Sequence, residues 1–170
     1  GGILTRVAKS HVRIGTFEYF ASLNDFESVQ TLSDYCINRL YPDCLNSTDK
    51  YLTFLKSVVE KQINLIAKWM SVGFIHGVMN TDNISISGET IDFGPCAFME
   101  AFNPNQVFSA IDANGRYRYS KQPEILLWNL MRLAETLLPL IDKNQEKAIE
   151  KVTVILKDFW PLFETNWLAI

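Results

Sequence analysis

Apolar residues recur at helical spacing along most of the chain and at two-residue spacing in one short stretch. After Asn24-Asp25, which offers a helix start, Phe26, Val29, Leu32, Ile37 and Leu40 share one face until Pro42, so a helix is predicted over 26–40. Ser47 or Thr48 can cap the next helix, where Leu52, Leu55, Val58, Val59, Ile63, Ile66 and Trp69 follow a period of about 3.6 residues with one polar slip at Gln62. That helix runs to about Met70, and Gly73 is placed to break it. Further on, Pro123 suits the first turn of a helix over 123–141 that carries Ile125, Leu126, Leu130, Leu133 and Leu137, with Pro139 near its end. A last helix is predicted over 145–156 from Ala148, Ile149, Val152, Ile155 and Leu156. Residues 2–8 and 11–14 read as extended, and Thr16 as the cap of a short helical turn through Phe17, Tyr19 and Phe20.

Strand character is confined to 84–93. Ile84-Ser85-Ile86-Ser87 alternates, Gly88-Glu89 makes a turn, and Thr90-Ile91-Asp92-Phe93 starts again, which predicts a compact hairpin lying on the helices. Residues 94–121 hold Gly94, Pro95, Pro104 and Gly115 among several Asn and Asp, and read as a long ordered loop of the kind that carries function. The fold class is therefore mainly α with a small β-hairpin, in one unit without repeats or linkers.

Composition narrows the function classes. With 48% hydrophobic and 21% charged residues in 170, the chain is an ordinary globular protein rather than a disordered one. Sixteen Lys+Arg against 19 Asp+Glu leave a net charge of −3, with no basic surplus for a nucleic-acid backbone or an anionic membrane. No apolar run approaches the ~18 residues of a membrane span. Cys36, Cys44 and Cys96 are odd in number and lack metal-ligand spacing, which fits buried or half-buried thiols in a reducing compartment.

The chemistry sits in His76-Gly77-Val78-Met79-Asn80-Thr81-Asp82-Asn83, followed nine residues after Asn83 by Asp92-Phe93-Gly94. A carboxamide at the start of one strand and a carboxylate at the end of its partner lie side by side, so their oxygens can reach one hard cation. Magnesium needs few protein ligands when substrate phosphates complete its shell.

The arrangement resembles the protein-kinase-like fold, where a loop H-x-D-x-x-x-x-N precedes a D-F-G segment. His76 and Asn83 keep that loop's seven-residue offset, but the position of the kinase base is Val78, which accepts no proton, and a carboxylate stands instead at Asp82. These features, with Leu4-Thr5-Arg6-Val7-Ala8-Lys9-Ser10-His11-Val12-Arg13, Asp92 through Met99, Gly115-Arg116-Tyr117, Gln122-Pro123 and Trp128-Asn129-Leu130, are similar to the selenoprotein O family of pseudokinase-fold protein adenylyltransferases.

That resemblance implies a single partial domain over 1–170, equivalent to the helical C-lobe of the kinase-like fold. Its catalytic loop is 76–83 and its DFG-type segment 92–94, with the N-lobe outside this chain and the isolated segment inactive. It implies that AMP is transferred from ATP to Ser, Thr or Tyr hydroxyls of proteins with release of pyrophosphate. Asp82 matches the general base, Asn83 and Asp92 the ligands of Mg²⁺ or Mn²⁺, and Arg6 and Arg13 the arginines that hold the nucleotide, with Asp92 also at the nucleotide through its metal. Guanidinium forks suit phosphate oxygens on chemical grounds as well. A bacterial cytoplasmic setting is expected, or a mitochondrial one for a eukaryotic source. Against this stand a phosphotransferase with kinase chemistry, which Val78 opposes, and a silent nucleotide-binding scaffold, which Asp82, Asn83 and Asp92 oppose. The plainer roles are surface ion pairing for the arginines, turn capping for Asp82, hydrogen bonding within the fold for His76 and His11, and core or contact packing for Trp128, Trp160 and Trp167.

Overall fold

The computed structural model describes residues 1–170. Its helices are α1 (Ile14–Ser22), α2 (Phe26–Leu40), α3 (Lys50–Ser71), α4 (Gln122–Ile141), α5 (Gln145–Lys157) and α6 (Phe159–Leu168). Strands β1 (Phe74–Ile75) and β2 (Ala97–Phe98) form one antiparallel pair in which Phe74 faces Phe98 and Ile75 faces Ala97. Each helix buries one stripe. α3 and α4 run against each other, α6 lies on α3, and α1 and α5 lie on α4. A continuous core joins Ile14 and Phe17 of α1, Ile37 of α2, Phe54 and Ile63 of α3, Leu130 and Leu133 of α4 and Phe159 of α6. Each such side chain contributes roughly 1.5–3 kcal/mol by leaving water.

The helices predicted over 26–40, to about 70, over 123–141 and over 145–156 are present within a residue or two, apart from the start of α3 at Lys50. Their ends differ in chemistry. Asp25 caps α2 by accepting from the Ser28 N–H at 3.0 Å. Neither Ser47 nor Thr48 caps α3, because the Ser47 hydroxyl is taken by Thr53 at 2.7 Å and the Asp49 N–H at 3.2 Å. Thr16 lies inside α1, where its Oγ1 accepts from the N–H of Arg13, the residue at the cap position, at 3.3 Å.

The hairpin over 84–93 is reduced to a turn and one bridge, between Ile84 and Thr90. The reason is competition for backbone groups. Ile14 donates to the Ile84 carbonyl at 3.0 Å and Ile86 to the Val12 carbonyl at 2.9 Å, so residues 84–86 pair across Arg13 and Ser85 with the chain entering α1. The long loop is ordered by its own contacts: Asp112 accepts from the Arg116 and Tyr117 N–H groups, each at 2.8 Å, and the Tyr119 hydroxyl donates to the Met70 carbonyl at 2.6 Å. α6 was not predicted. Cys36 and Cys44 are buried and Cys96 is half-buried. Trp128, Trp160 and Trp167 stay 37–49% exposed and are contact residues, whereas Trp69 is the tryptophan of the core. No helix is long and apolar enough to cross a membrane.

Candidate functional site

The segment 76–83 leaves β1 and is held from three directions. His76 is fully buried, stacked on Trp69 with ring centroids 5.4 Å apart. Its Nε2–H donates to the Ile91 carbonyl at 2.8 Å and its Nδ1 accepts from the Val78 N–H at 3.4 Å, the pattern of a neutral imidazole. Burial holds its pKa below the ordinary histidine value, partly offset by the Ile91 carbonyl and the charge of Asp92. His76 therefore ties the start of the 76–83 segment to the residue before Asp92, as a structural histidine does. Gly77 follows at φ +85°, and a Cβ there would sit 3.0 Å from Pro95 Cγ, so this bend requires glycine.

Thr81–Asn83 form one turn of 3₁₀ helix that exposes Asp82 and half-buries Asn83. The Asn83 Nδ2 donates to the Val78 carbonyl at 2.9 Å, which fixes the carboxamide and leaves Oδ1 as its acceptor. Gly15, in the first turn of α1, lies against this turn: a Cβ would come within 3.1 Å of the Asp82 nitrogen and 3.2 Å of its Cα.

Asp92 has φ +54°, a left-handed conformation that Asp tolerates better than most residues. Its carboxylate takes a forked contact from Arg13, with Nε at 3.1 Å from Oδ2 and Nη2 at 3.0 Å from Oδ2 and 3.2 Å from Oδ1. The two side chains are 34% and 33% exposed, so water screens the pair to about 1 kcal/mol. Arg6 reaches the Phe93 carbonyl at 3.4 Å and lies over the Phe93 ring at 5.4 Å. Arg6, Arg13 and Asp92 share a cleft of about 190 Å³ that His11 and Thr90 also line. The Ile84–Thr90 bridge sets Asn83 and Asp92 at the same end of the antiparallel pair.

The largest hollow lies elsewhere. It measures about 760 Å³, is bordered by Lys9, Tyr41, Glu60, Lys61 and Lys68, and contains none of the expected site residues. Size does not select the site here; the joining of two arginines and a carboxylate in the smaller cleft does. No cluster of three or more His, Cys, Asp or Glu side chains builds a closed metal centre. The Asn83 and Asp92 oxygens are hard donors that fit Mg²⁺ or Mn²⁺ with phosphate and water completing the shell, on condition that Arg13 yields the carboxylate.

Comparison with known proteins settles the family. The model for "Protein adenylyltransferase SelO" matches residues 1–169. The chain belongs to the SelO family. Relatives carrying the description protein nucleotidyltransferase YdiU include those of Agrobacterium fabrum at 56% identity and Cereibacter sphaeroides at 55%, each over 169 residues. The relative from Rhizobium johnstonii is 54% identical over 169 residues. The match takes in 99% of this chain and 34–35% of those proteins, so the chain spans about a third of the length of these SelO-family relatives.

Several residues that the sequence singles out without a role brace the site. Trp69 donates from Nε1 to Thr90 Oγ1 at 2.9 Å, bracing the strand before Asp92. The fully buried Gln122 accepts the His76 N–H at 3.0 Å and donates to the Phe74 carbonyl at 2.9 Å. Tyr117 donates to Asn80 Oδ1, and Asn129 to the Met79 carbonyl at 2.9 Å. A signal existed for the α4 pair: Gln122 and Asn129 are seven residues apart on the face that Ile125, Leu126 and Leu133 bury.

Proposed function

We propose that this chain carries the catalytic loop and the metal-binding end of a protein adenylyltransferase, in the part equivalent to the helical C-lobe of a kinase-like fold. Membership of the SelO family supports the reaction class, and the bacterial relatives support a bacterial cytoplasmic setting. The observation that carries the reading is the placement of Asp82 and Asn83 on one short turn at the same end of the Ile84–Thr90 bridge as Asp92, which Arg13 forks.

In this reading Asn83 Oδ1 and Asp92 hold Mg²⁺ or Mn²⁺ on ATP, and the ion supplies charge neutralisation of the phosphates. Asp82, exposed at the turn, accepts the proton of a Ser, Thr or Tyr hydroxyl on a protein substrate. The hydroxyl oxygen bonds to the α-phosphorus, the bond from that phosphorus to the bridging oxygen breaks, and pyrophosphate leaves with the bonding pair. With Asp92 holding an ion, Arg13 would be free to join Arg6 in binding phosphate oxygens and the charge that gathers on the leaving group. Exchange is feasible because the pair contributes only about 1 kcal/mol. Val78 offers no competing base.

In the full-length protein, Asp82→Asn is expected to lower AMP transfer by roughly 10²–10⁴-fold with metal-dependent ATP binding retained. Asp92→Ala is expected to lose both. Intact-mass measurement of an acceptor protein reads the first and calorimetric titration with ATP and Mn²⁺ the second. Full transfer by Asp82→Asn would remove the residue from its role.

A further inference from the structure

Asn129 is fully buried in the middle of α4 among Leu126, Leu130 and Leu133, where leucine would be the better helix former and the better core residue. Half of its carboxamide is unused: Oδ1 is buried with no hydrogen-bond partner. The other half is fully employed, with Nδ2 donating to the Met79 carbonyl at 2.9 Å and to the Ile125 carbonyl of its own helix at 2.8 Å. A polar group kept in a core against its own desolvation has a reason in the contact it does make.

That contact sits between two others. Three successive carbonyls of the catalytic segment each have a dedicated donor: Val78 takes the Asn83 side chain at 2.9 Å, Met79 takes Asn129, and Asn80 takes the Asn83 N–H at 2.9 Å. The outer two orient Asn83. The middle one is set by α4, a 20-residue helix packed into the core, and a rotated Met79 peptide would carry the flanking Val78 and Asn80 carbonyls out of line with Asn83. We propose that Asn129 is a positioning residue that locks the 78–80 backbone so that Asn83 presents Oδ1 to the divalent ion. It never touches ion or substrate. The inference rests on the metal role given to Asn83 above and extends it to a residue some 46 positions away in sequence (129 against 83).

The test uses Asn129→Leu and Asn129→Ala in the full-length protein, reading two quantities: Mn²⁺ half-saturation in the presence of ATP, by calorimetry, and melting temperature. Loss of an outer support of this kind is expected to raise the half-saturating Mn²⁺ concentration roughly 10-fold. The melting temperature should stay within a few degrees, because the orphaned Oδ1 is removed together with the bond to Met79. Asn129→Ala introduces no bulk and reads the same quantity if the leucine is not accommodated. Unchanged half-saturation in the folded variants overturns the proposal, and a fall in melting temperature with unchanged half-saturation identifies a purely structural asparagine. Failure of the unaltered protein to bind Mn²⁺ with ATP overturns the metal role of Asn83 itself, and is seen before any variant is made.

Discussion

Arg13 and Asp92 show how a residue's role depends on its neighbour. The family resemblance assigns Arg13 to the nucleotide and the loop spacing assigns Asp92 to a metal, each without the other. The fold forks one onto the other at 3.0–3.2 Å. That pairing was illegible because 79 residues separate the partners and no local pattern encodes it. His76 shows the reverse: the sequence reads it as a hydrogen-bonding residue that shapes the loop, and it bonds Ile91 and Val78. Its titration gives a prediction with a fixed sign. Burial keeps the folded imidazole neutral below the ordinary value, so as pH falls through about 6.5 the unfolded chain binds a proton that the folded chain resists. Stability is flat on this account above that pH and declines below it by up to ~1.4 kcal/mol per unit until the folded pKa is reached. Urea unfolding of the chain at pH 7.5, 6.0 and 5.0 should show a decline that is smaller in His76→Gln.

At the scale of elements, helices were legible because each is amphipathic over two turns or more, and boundaries fell within a residue or two where Asp25, Pro42 and Pro123 mark them. The hairpin was not. Its alternation is real, but a strand at 84–86 can pair with any free edge, and residues 12–14 supply one. α6 was hidden by Phe159-Trp160-Pro161, which looks like a broken run; Pro161 stands in the first turn, where no helical N–H bond is lost. The contact of α1 with the 81–83 turn carries its own prediction. Gly15→Ala puts a methyl 3.1–3.3 Å from the backbone of Thr81 and Asp82, which must shift by a few tenths of an ångström. AMP transfer by the full-length protein is expected to fall roughly 10-fold through the displaced Asp82, with α1 itself no less stable because alanine is the better helix former. Initial rates beside a thermal melt check both halves.

For the whole molecule, the fold is a helical body on which the arginine-bearing segment entering α1 and residues 90–93 line one small cleft, with the 81–83 turn at the same end of the Ile84–Thr90 bridge as Asp92. The loop and DFG-type spacing pointed to Asn83 and Asp92, and the family resemblance added Asp82, Arg6 and Arg13; the structure brings Arg6, Arg13 and Asp92 to one small cleft and puts Asp82 and Asn83 on a separate 3₁₀ turn. The supporting roles of Trp69, Tyr117, Gln122 and Asn129 were not legible, because each bonds a partner at least 21 positions away along the chain. The central claim is that the protein passes AMP to a hydroxyl, with Val78 in place of a kinase base and Asp82 as the acceptor of the proton. The most direct measurement incubates the full-length protein with Mn²⁺ and ATP labelled in parallel at the α- or the γ-phosphate, with Asp92→Ala beside it. Label from the α-phosphate alone should appear on protein and vanish in the variant; label from the γ-phosphate on protein would contradict the account.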